Sequence, residues 1–289
     1  MRILKATYGD IDVSEKLKTK IHNNNIFLLV NNSFFGDTKP GVVKYLETQI
    51  ELDGLIFSNK VIENDFFVFP KSNRERLGIF YSNNNDDRIR PCIIESLKNI
   101  SKAAKDKADI ITNMWNSEKE NPFFETIAWT NTTSHLNQVL QVLQCLCTAQ
   151  KINNYKYVSF LEHDVLYPEG YFDYPDFDDG IICNMNYIGL VKDGFQKKSQ
   201  NDKPTSQLTM LFKDALEHFL GLIPNAVIRN SGLLEPQKTI KEWNCINPAV
   251  HVNHGRHFTS HYNIYSKNDL SSFDSYWGEH IKLQGLFYA

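Results

Sequence analysis

Short apolar runs alternate with turn residues in the first part of the chain, a pattern typical of short strands. The runs span residues 3–7, 26–30, 44–52 and 65–69. The segments between them are rich in glycine, asparagine and aspartate, which favour tight turns, and Asp10 and Asp37 stand beside glycines in them. We therefore predict a small β-rich module over residues 1–72.

From residue 75 onward the pattern changes to an alternation of buried strands and amphipathic helices. Strands are predicted at residues 77–81, 108–112, 156–161, 180–183 and 187–190. Helices are predicted at residues 92–105, 134–150 and 205–221, with Ser134 as the N-cap of the second. This alternation predicts an α/β domain over residues 73–289, with a mainly parallel sheet flanked by helices.

Ligands of open α/β sheets bind beyond the carboxyl ends of the strands, so the polar residues after each predicted strand are candidates for a site. In chain order they are Tyr81, Ser82, Asn83, Asn113 and the tripeptide Glu162-His163-Asp164. Carboxylates two residues apart on an extended chain point the same way. One can then bind a divalent cation, which prefers oxygen ligands, while the other contacts a ribose hydroxyl.

This strand end resembles the DxD segment of GT-A-type glycosyltransferases, in which an apolar strand ends in Asp-x-Asp or a variant. The matching residues are Ser159-Phe160-Leu161-Glu162-His163-Asp164-Val165-Leu166-Tyr167-Pro168. The resemblance implies a GT-A-like catalytic domain in which Asp164 ligates manganese or magnesium, and the metal holds the nucleotide diphosphate. The chain departs from the family pattern because its first acid is Glu162 and its middle residue is His163, which we group with the donor-binding residues.

A histidine-rich segment provides a second match, since four of the nine histidines fall within residues 251–261. In many members of the GT-A fold a late histidine completes the metal shell, which implies His251 or His254 here. Arg256 lies next to them and can neutralise a leaving diphosphate through its planar guanidinium.

The same resemblance places the base and ribose of the donor over the first two strand ends. Tyr81 is then expected to stack on a pyrimidine, and Ser82, Asn83 and Asn113 are expected to hydrogen-bond the nucleotide. The resemblance covers residues 75–265 and leaves the N-terminal module outside it.

The implied reaction is transfer of a hexosyl or pentosyl group from a nucleoside diphosphate sugar, expected to be a UDP-sugar. The acceptor hydroxyl belongs to a glycan, a protein or a hydroxymethylated base in phage DNA. An inverting enzyme needs a carboxylate base, for which the candidates are Asp214, Glu217 and Glu235, whereas a retaining enzyme needs none.

Charge and cysteine content limit the classes of partner and the cellular compartment that we expect for this protein. The net charge of −3 and the isoelectric point near 6.3 disfavour broad binding of nucleic acid. The five cysteines form no CxxC pair, and the first eight residues lack the apolar run of a secretory signal. We therefore expect reduced thiols, no membrane span and a cytoplasmic protein of a microbe or a phage-infected host cell.

Two other functions compete with this interpretation. The histidine cluster and Asp164 are compatible with a metallohydrolase, although no HExxH motif is present. A non-catalytic carbohydrate-binding protein is the second, in which the N-terminal module would be the active part.

Overall fold

The computed structural model describes residues 1–22, 25–83, 89–114, 121, 123–127, 134–191, 194–197, 207–229, 240–252 and 276–277. The chain divides into two compact units. The first comprises Met1–Asn73 with Lys151–Asn153, and the second comprises Arg74–Gln150 with Asn154–Ala289.

The first unit is rich in short antiparallel strands. Its elements, over the residues described, are β1 (Arg2–Tyr8), β2 (Ile11–Asp12), α1 (Ser14–Lys18), β3 (Ile21–His22), β4 (Asn25–Leu29), α2 (Asn32–Phe35), β5 (Tyr45–Leu52), β6 (Leu55–Ile62) and β7 (Phe66–Phe69). They form one sheet in the order β2-β1-β5-β6 and another in the order β3-β4-β7. The buried side chains of Tyr8, Phe35 and Phe67 belong to the core of this unit.

Strand β6 was not predicted from the hydrophobic pattern. Its residues are mostly exposed, with Leu55 and Ile56 each 65% accessible. Because neither face of the strand is buried, its sequence does not alternate between apolar and polar residues. The two-residue turn Asp53-Gly54 joins it to β5, and both residues have positive φ, 51° and 80°. Aspartate followed by glycine favours this type of hairpin turn, so local turn chemistry rather than burial determines the strand.

The second unit alternates strands and helices. Its elements, within the described ranges, are β8 (Arg76–Tyr81), α3 (Arg90–Ala104), β9 (Ala108–Met114), β10 (Phe124–Ile127), α4 (His135–Ile152, whose end belongs to the first unit), β11 (Tyr157–Glu162), β12 (Val165–Leu166), β13 (Ile181–Asn184), β14 (Tyr187–Val191), β15 (Gly194–Lys197), β16 (Leu208–Leu211), α5 (Phe212–Arg229), β17 (Ile240–Trp243) and β18 (Ala249–Val252).

Seven of these strands form one sheet in the order β10-β9-β8-β11-β16-β13-β17. Every neighbouring pair is parallel except the two that involve β16, which runs antiparallel to β11 and β13. A mainly parallel sheet with flanking helices confirms the predicted α/β class. The unit also contains a smaller sheet in the order β12-β18-β14-β15.

Residues 208–211 form strand β16, although the periodicity predicted a helix from residue 205, so this prediction was wrong. All four side chains are buried, and Thr209 Oγ1 lies 2.8 Å from Ser159 Oγ on β11. Leu208 and Leu211 continue the apolar stripe of α5, which made the strand resemble the start of that helix. Because β16 is antiparallel to β11, its first residue lies at the edge of the sheet where β11 ends.

The N-cap of α4 is the predicted one. Ser134 Oγ accepts a hydrogen bond of 3.1 Å from the backbone N–H of Asn137. We expect Ser134→Ala to lower the free energy of unfolding by about 1 kcal/mol, because one N–H of the first turn loses its partner. Urea denaturation measures the loss, and Ser134→Asp should retain the cap. An unchanged denaturation midpoint for the alanine variant would contradict this prediction.

No helix in the described ranges combines the length and the apolar character that crossing a bilayer requires.

Candidate active site

The ends of three parallel strands meet in one row of the main sheet. Tyr81 of β8 pairs with Asn113 of β9 on one side and with Glu162 of β11 on the other. The phenol of Tyr81 donates a 3.2 Å hydrogen bond to Glu162 Oε1. Burial, and then the charges of Glu162 and Asp164, raise the pKa of Tyr81 well above its ordinary value. Tyr81 therefore stays protonated at neutral pH and orients the Glu162 carboxylate as a donor.

Tyr81 was also predicted to stack on a pyrimidine base. Its side chain is buried, with only 3% of the residue accessible, and its hydroxyl is engaged by Glu162. The structure therefore shows Tyr81 supporting Glu162 from the neighbouring strand, and its stacking on a pyrimidine stays a prediction.

Asp164 lies in the turn that connects β11 to β12. Its backbone carbonyl accepts a 2.7 Å hydrogen bond from the N–H of Val252, and the next residue, Val165, pairs with His251. Asp164 and His251 thus extend from neighbouring positions on two paired segments, although 86 residues separate them in the chain. Folding therefore places the backbones of these two predicted metal ligands close together.

His251 is a nearly buried imidazole, 8% accessible, whose ring centroid lies 5.1 Å from that of Tyr187. Its Nε2 lies 2.8 Å from Nε2 of Gln207. An amide nitrogen only donates, so the imidazole nitrogen accepts and carries a lone pair. This is the neutral form of histidine, which is also the form that binds metals.

Gln207 is a site residue that the sequence reasoning missed. It is fully buried, it contacts His251, and its Oε1 accepts a hydrogen bond from Nδ2 of Asn184. The sequence contains a usable signal, because Gln207 directly precedes the apolar run 208–211. That run was interpreted as helix, so Gln207 was not recognised as the polar residue at a strand end.

Ser82, Asn83 and Asn113, predicted to contact the nucleotide, are all buried, between 0% and 8% accessible. In the structure these residues are attached to α4, and their contact with a nucleotide stays a prediction.

The attachment is made by three polar side chains on one face of α4, spaced by four and three residues. The contacts join Asn137 Nδ2 to Asn83 Oδ1 (2.7 Å), Gln141 Nε2 to the Ser82 carbonyl (2.9 Å), and Asn113 Nδ2 to Gln144 Oε1 (3.0 Å). Helix α4 therefore sets the positions of the ends of β8 and β9 through hydrogen bonds as well as apolar packing.

The donor set at Asp164 fits a divalent metal in part. Carboxylate oxygens suit manganese and magnesium, and imidazole is a common ligand of divalent transition metals. In the part of the chain that the structure describes, no group of three or more histidine, cysteine, aspartate or glutamate side chains is arranged to hold an ion. Asp164 and His251 would therefore need further ligands, which phosphate oxygens and water can provide.

No protein-family model and no curated protein matches the sequence. Among solved structures, part of the chain is similar to galactosyltransferase LgtC in complex with donor and acceptor sugar analogues. The identity is 12% and the TM-score 0.34, over 56% of this chain and 67% of that one. An active-site mutant of LgtC matches with 12% identity and a TM-score of 0.32, over 56% of this chain and 66% of that one. The likeness is distant and partial.

The predicted bases Asp214 and Glu217 lie on α5, away from the turn that contains Asp164, and their role as bases stays a prediction. Both lie in the first two turns of α5, which begins where the N–H of Phe212 donates to the carbonyl of Lys156. Lys156 precedes β11, so α5 begins at the opposite edge of the sheet from Asp164. Asp214 is half-buried there and Glu217 is exposed. The other predicted base, Glu235, lies outside the described residues, as do His254 and Arg256.

Proposed function

We propose that this chain is a metal-dependent glycosyltransferase that moves a hexosyl or pentosyl group from a nucleoside diphosphate sugar to a hydroxyl acceptor. The observation that supports the proposal is the backbone pairing that sets the turn containing Asp164 against His251 on β18, with Glu162, held by Tyr81, two residues before Asp164. Asp164 follows the carboxyl end of β11, a parallel strand of the main sheet, and ligands of α/β sheets bind at such ends.

Asp164 and His251 would hold manganese or magnesium, and the bound ion would supply positive charge to the leaving diphosphate. Asp164 contributes a negative charge of its own, which offsets part of the charge of the ion. Gln207 holds the imidazole of His251 in place through the 2.8 Å contact at Nε2. A metal that bound through Nε2 would compete with this contact.

Glu162 is the group that we assign to the ribose of the donor. Its carboxylate is held by Tyr81 at the strand end, two residues before Asp164, and it can accept hydrogen bonds from sugar hydroxyls. UDP is the expected nucleotide, as in the family that the tripeptide resembles. From the same resemblance, His254 and Arg256 are assigned to the metal shell and the diphosphate.

Thermal unfolding tests the proposal directly. UDP with manganese should raise the melting temperature by about 5 °C or more when both are present well above their dissociation constants, because ligands that bind only the folded state stabilise it. EDTA should remove the shift, and UDP alone should produce little of it. A screen of UDP-sugars with manganese, read as release of UDP, then identifies the donor before acceptors are added.

The competing functions give different results in the same assay. A metallohydrolase should respond to the metal without needing UDP, and a carbohydrate-binding protein should respond to neither. Absence of any shift with UDP and manganese at millimolar concentrations would overturn the proposed function.

A further inference from the structure

The turn that carries Asp164 is held by two side chains of helix α3. Ser96 Oγ lies 2.7 Å from the carbonyl oxygen of Val165 and 3.1 Å from that of His163. Cys92, one helical turn earlier, places its Sγ 3.4 Å from the same His163 carbonyl. Both side chains are buried, Ser96 completely and Cys92 to within 2%. The two carbonyls that they reach are those on either side of Asp164.

These contacts complete the hydrogen bonding of the turn. A serine hydroxyl has one proton, and its shorter contact is to Val165, so the weaker S–H donor of Cys92 serves His163. The carbonyl of Asp164 itself is bound by the N–H of Val252. Three consecutive carbonyls are therefore fixed, two by α3 and one by β18. Leaving such a buried carbonyl without a donor is unfavourable, so the turn has one preferred conformation here.

Ser96 is an unusual residue for its place in α3. It lies in the interior of the helix, and the buried residues Ile93, Leu97 and Ile100 surround it in sequence. Alanine would favour the helix more than serine does, because serine competes for backbone hydrogen bonds. Its hydroxyl reaches residues 67 and 69 positions away in the chain, so its contribution is to the turn and not to the helix.

We propose that Ser96 is a positioning residue that fixes the turn at residues 163–165 and thereby presents the Asp164 carboxylate to the metal together with His251. The role rests on the proposed function, since it concerns the same metal site. Ser96 acts through the backbone of the turn and has no contact with the ion or the donor.

The test is the affinity for manganese, measured by isothermal titration calorimetry on the full chain with UDP present. Ser96→Ala should weaken manganese binding by about tenfold, the loss expected when a group that orients a metal ligand is removed. Ser96→Thr keeps the hydroxyl and should restore affinity close to that of the unmodified protein. Cys92→Ala removes the weaker donor and should give a smaller loss in the same direction.

Ser159→Ala is the matched control. Its hydroxyl is also completely buried and hydrogen-bonded, to Thr209 on β16, but it does not touch the turn. It should lower the melting temperature about as much as Ser96→Ala does and leave manganese affinity unchanged. A serine with only a structural role would lower the melting temperature when replaced by alanine but would leave the affinity for manganese unchanged.

Each alternative result has one meaning. Native manganese affinity in both Ser96→Ala and Cys92→Ala would overturn the positioning role and leave the proposed function intact. An equal loss of affinity in Ser159→Ala would also overturn it, because general destabilisation would then explain the effect. If the unmodified protein itself does not bind manganese with UDP, the proposed function fails, and the positioning role fails with it.

Discussion

Replacement of Asp164 by asparagine is expected to abolish turnover of a nucleotide sugar and its dependence on manganese together. The amide is neutral and nearly isosteric, so the turn that leads into β12 should be preserved while the negative charge of the Asp164 carboxylate is lost. A bound metal contributes several kcal/mol to stabilising the transition state, and each 1.36 kcal/mol is a factor of ten in rate. We therefore expect a decrease of about a thousandfold or more in kcat, measured as UDP release.

Glu169→Gln is the control for this variant. Glu169 is an exposed acid on the same segment, so its neutralisation removes a charge of the same sign without touching the strand end. It should leave both kcat and the manganese requirement unchanged. Near-normal turnover by Asp164→Asn would mean that the assignment of the metal site is wrong.

Replacement of Gly78 by valine should destabilise the second unit strongly. Gly78 lies in the middle of β8, and a Cβ built on it would come within 2.5 Å of Ile110 Cδ1, 2.8 Å of Leu161 Cδ1 and 3.2 Å of Phe172 Cζ. All three neighbours are buried, at 6% accessible or less, so they have little room to move. Overpacking of this kind costs about 3 kcal/mol in the free energy of unfolding, measured by urea denaturation.

Gly221→Ala provides the opposite expectation. Gly221 lies in α5, and among the described residues no atom outside the adjacent helix backbone lies within 4 Å of the Cβ that alanine would add. Alanine favours a helix over glycine by about 0.5–1 kcal/mol, so this variant should be at least as stable as the unmodified protein. If Gly78→Val were as stable as Gly221→Ala, the packing described around β8 would be incorrect.

The elements that the sequence predicted well are those with one strong local signal. The strands at β8, β9 and β11 are apolar runs bounded by turns, and the cap of α4 is a serine before a periodic stripe. The hydrophobic pattern gives no such signal for β6 and β16. Strand β6 is exposed on both faces, and only the Asp53-Gly54 turn before it indicates a hairpin. Strand β16 adjoins a helix whose apolar stripe it extends, so only pairing with neighbouring strands distinguishes it from that helix.

The candidate site shows the same contrast between residues that the local sequence indicates and residues whose role depends on contacts with distant parts of the chain. Asp164 and His251 were predicted as metal ligands from residue type and resemblance, because such residues carry their chemistry in the side chain. Gln207 and Ser96 do not, since a glutamine and a serine acquire a role only from what folding places beside them. At the end of β8, Tyr81 and Asn83 have chemistry suited to a nucleotide, and the sequence did not indicate that folding would also bury them against other parts of the protein.

The pairing of β12 with β18 has a consequence for the order of events during synthesis. Val165 leaves the ribosome long before His251, and synthesis proceeds at about 5–20 residues per second, so β12 waits several seconds for its partner. By then the parallel strands β8, β9 and β11 have all been made. The proposed metal site is therefore expected to mature late, and a chain interrupted at residue 248 would contain all seven strands of the main sheet yet be inert.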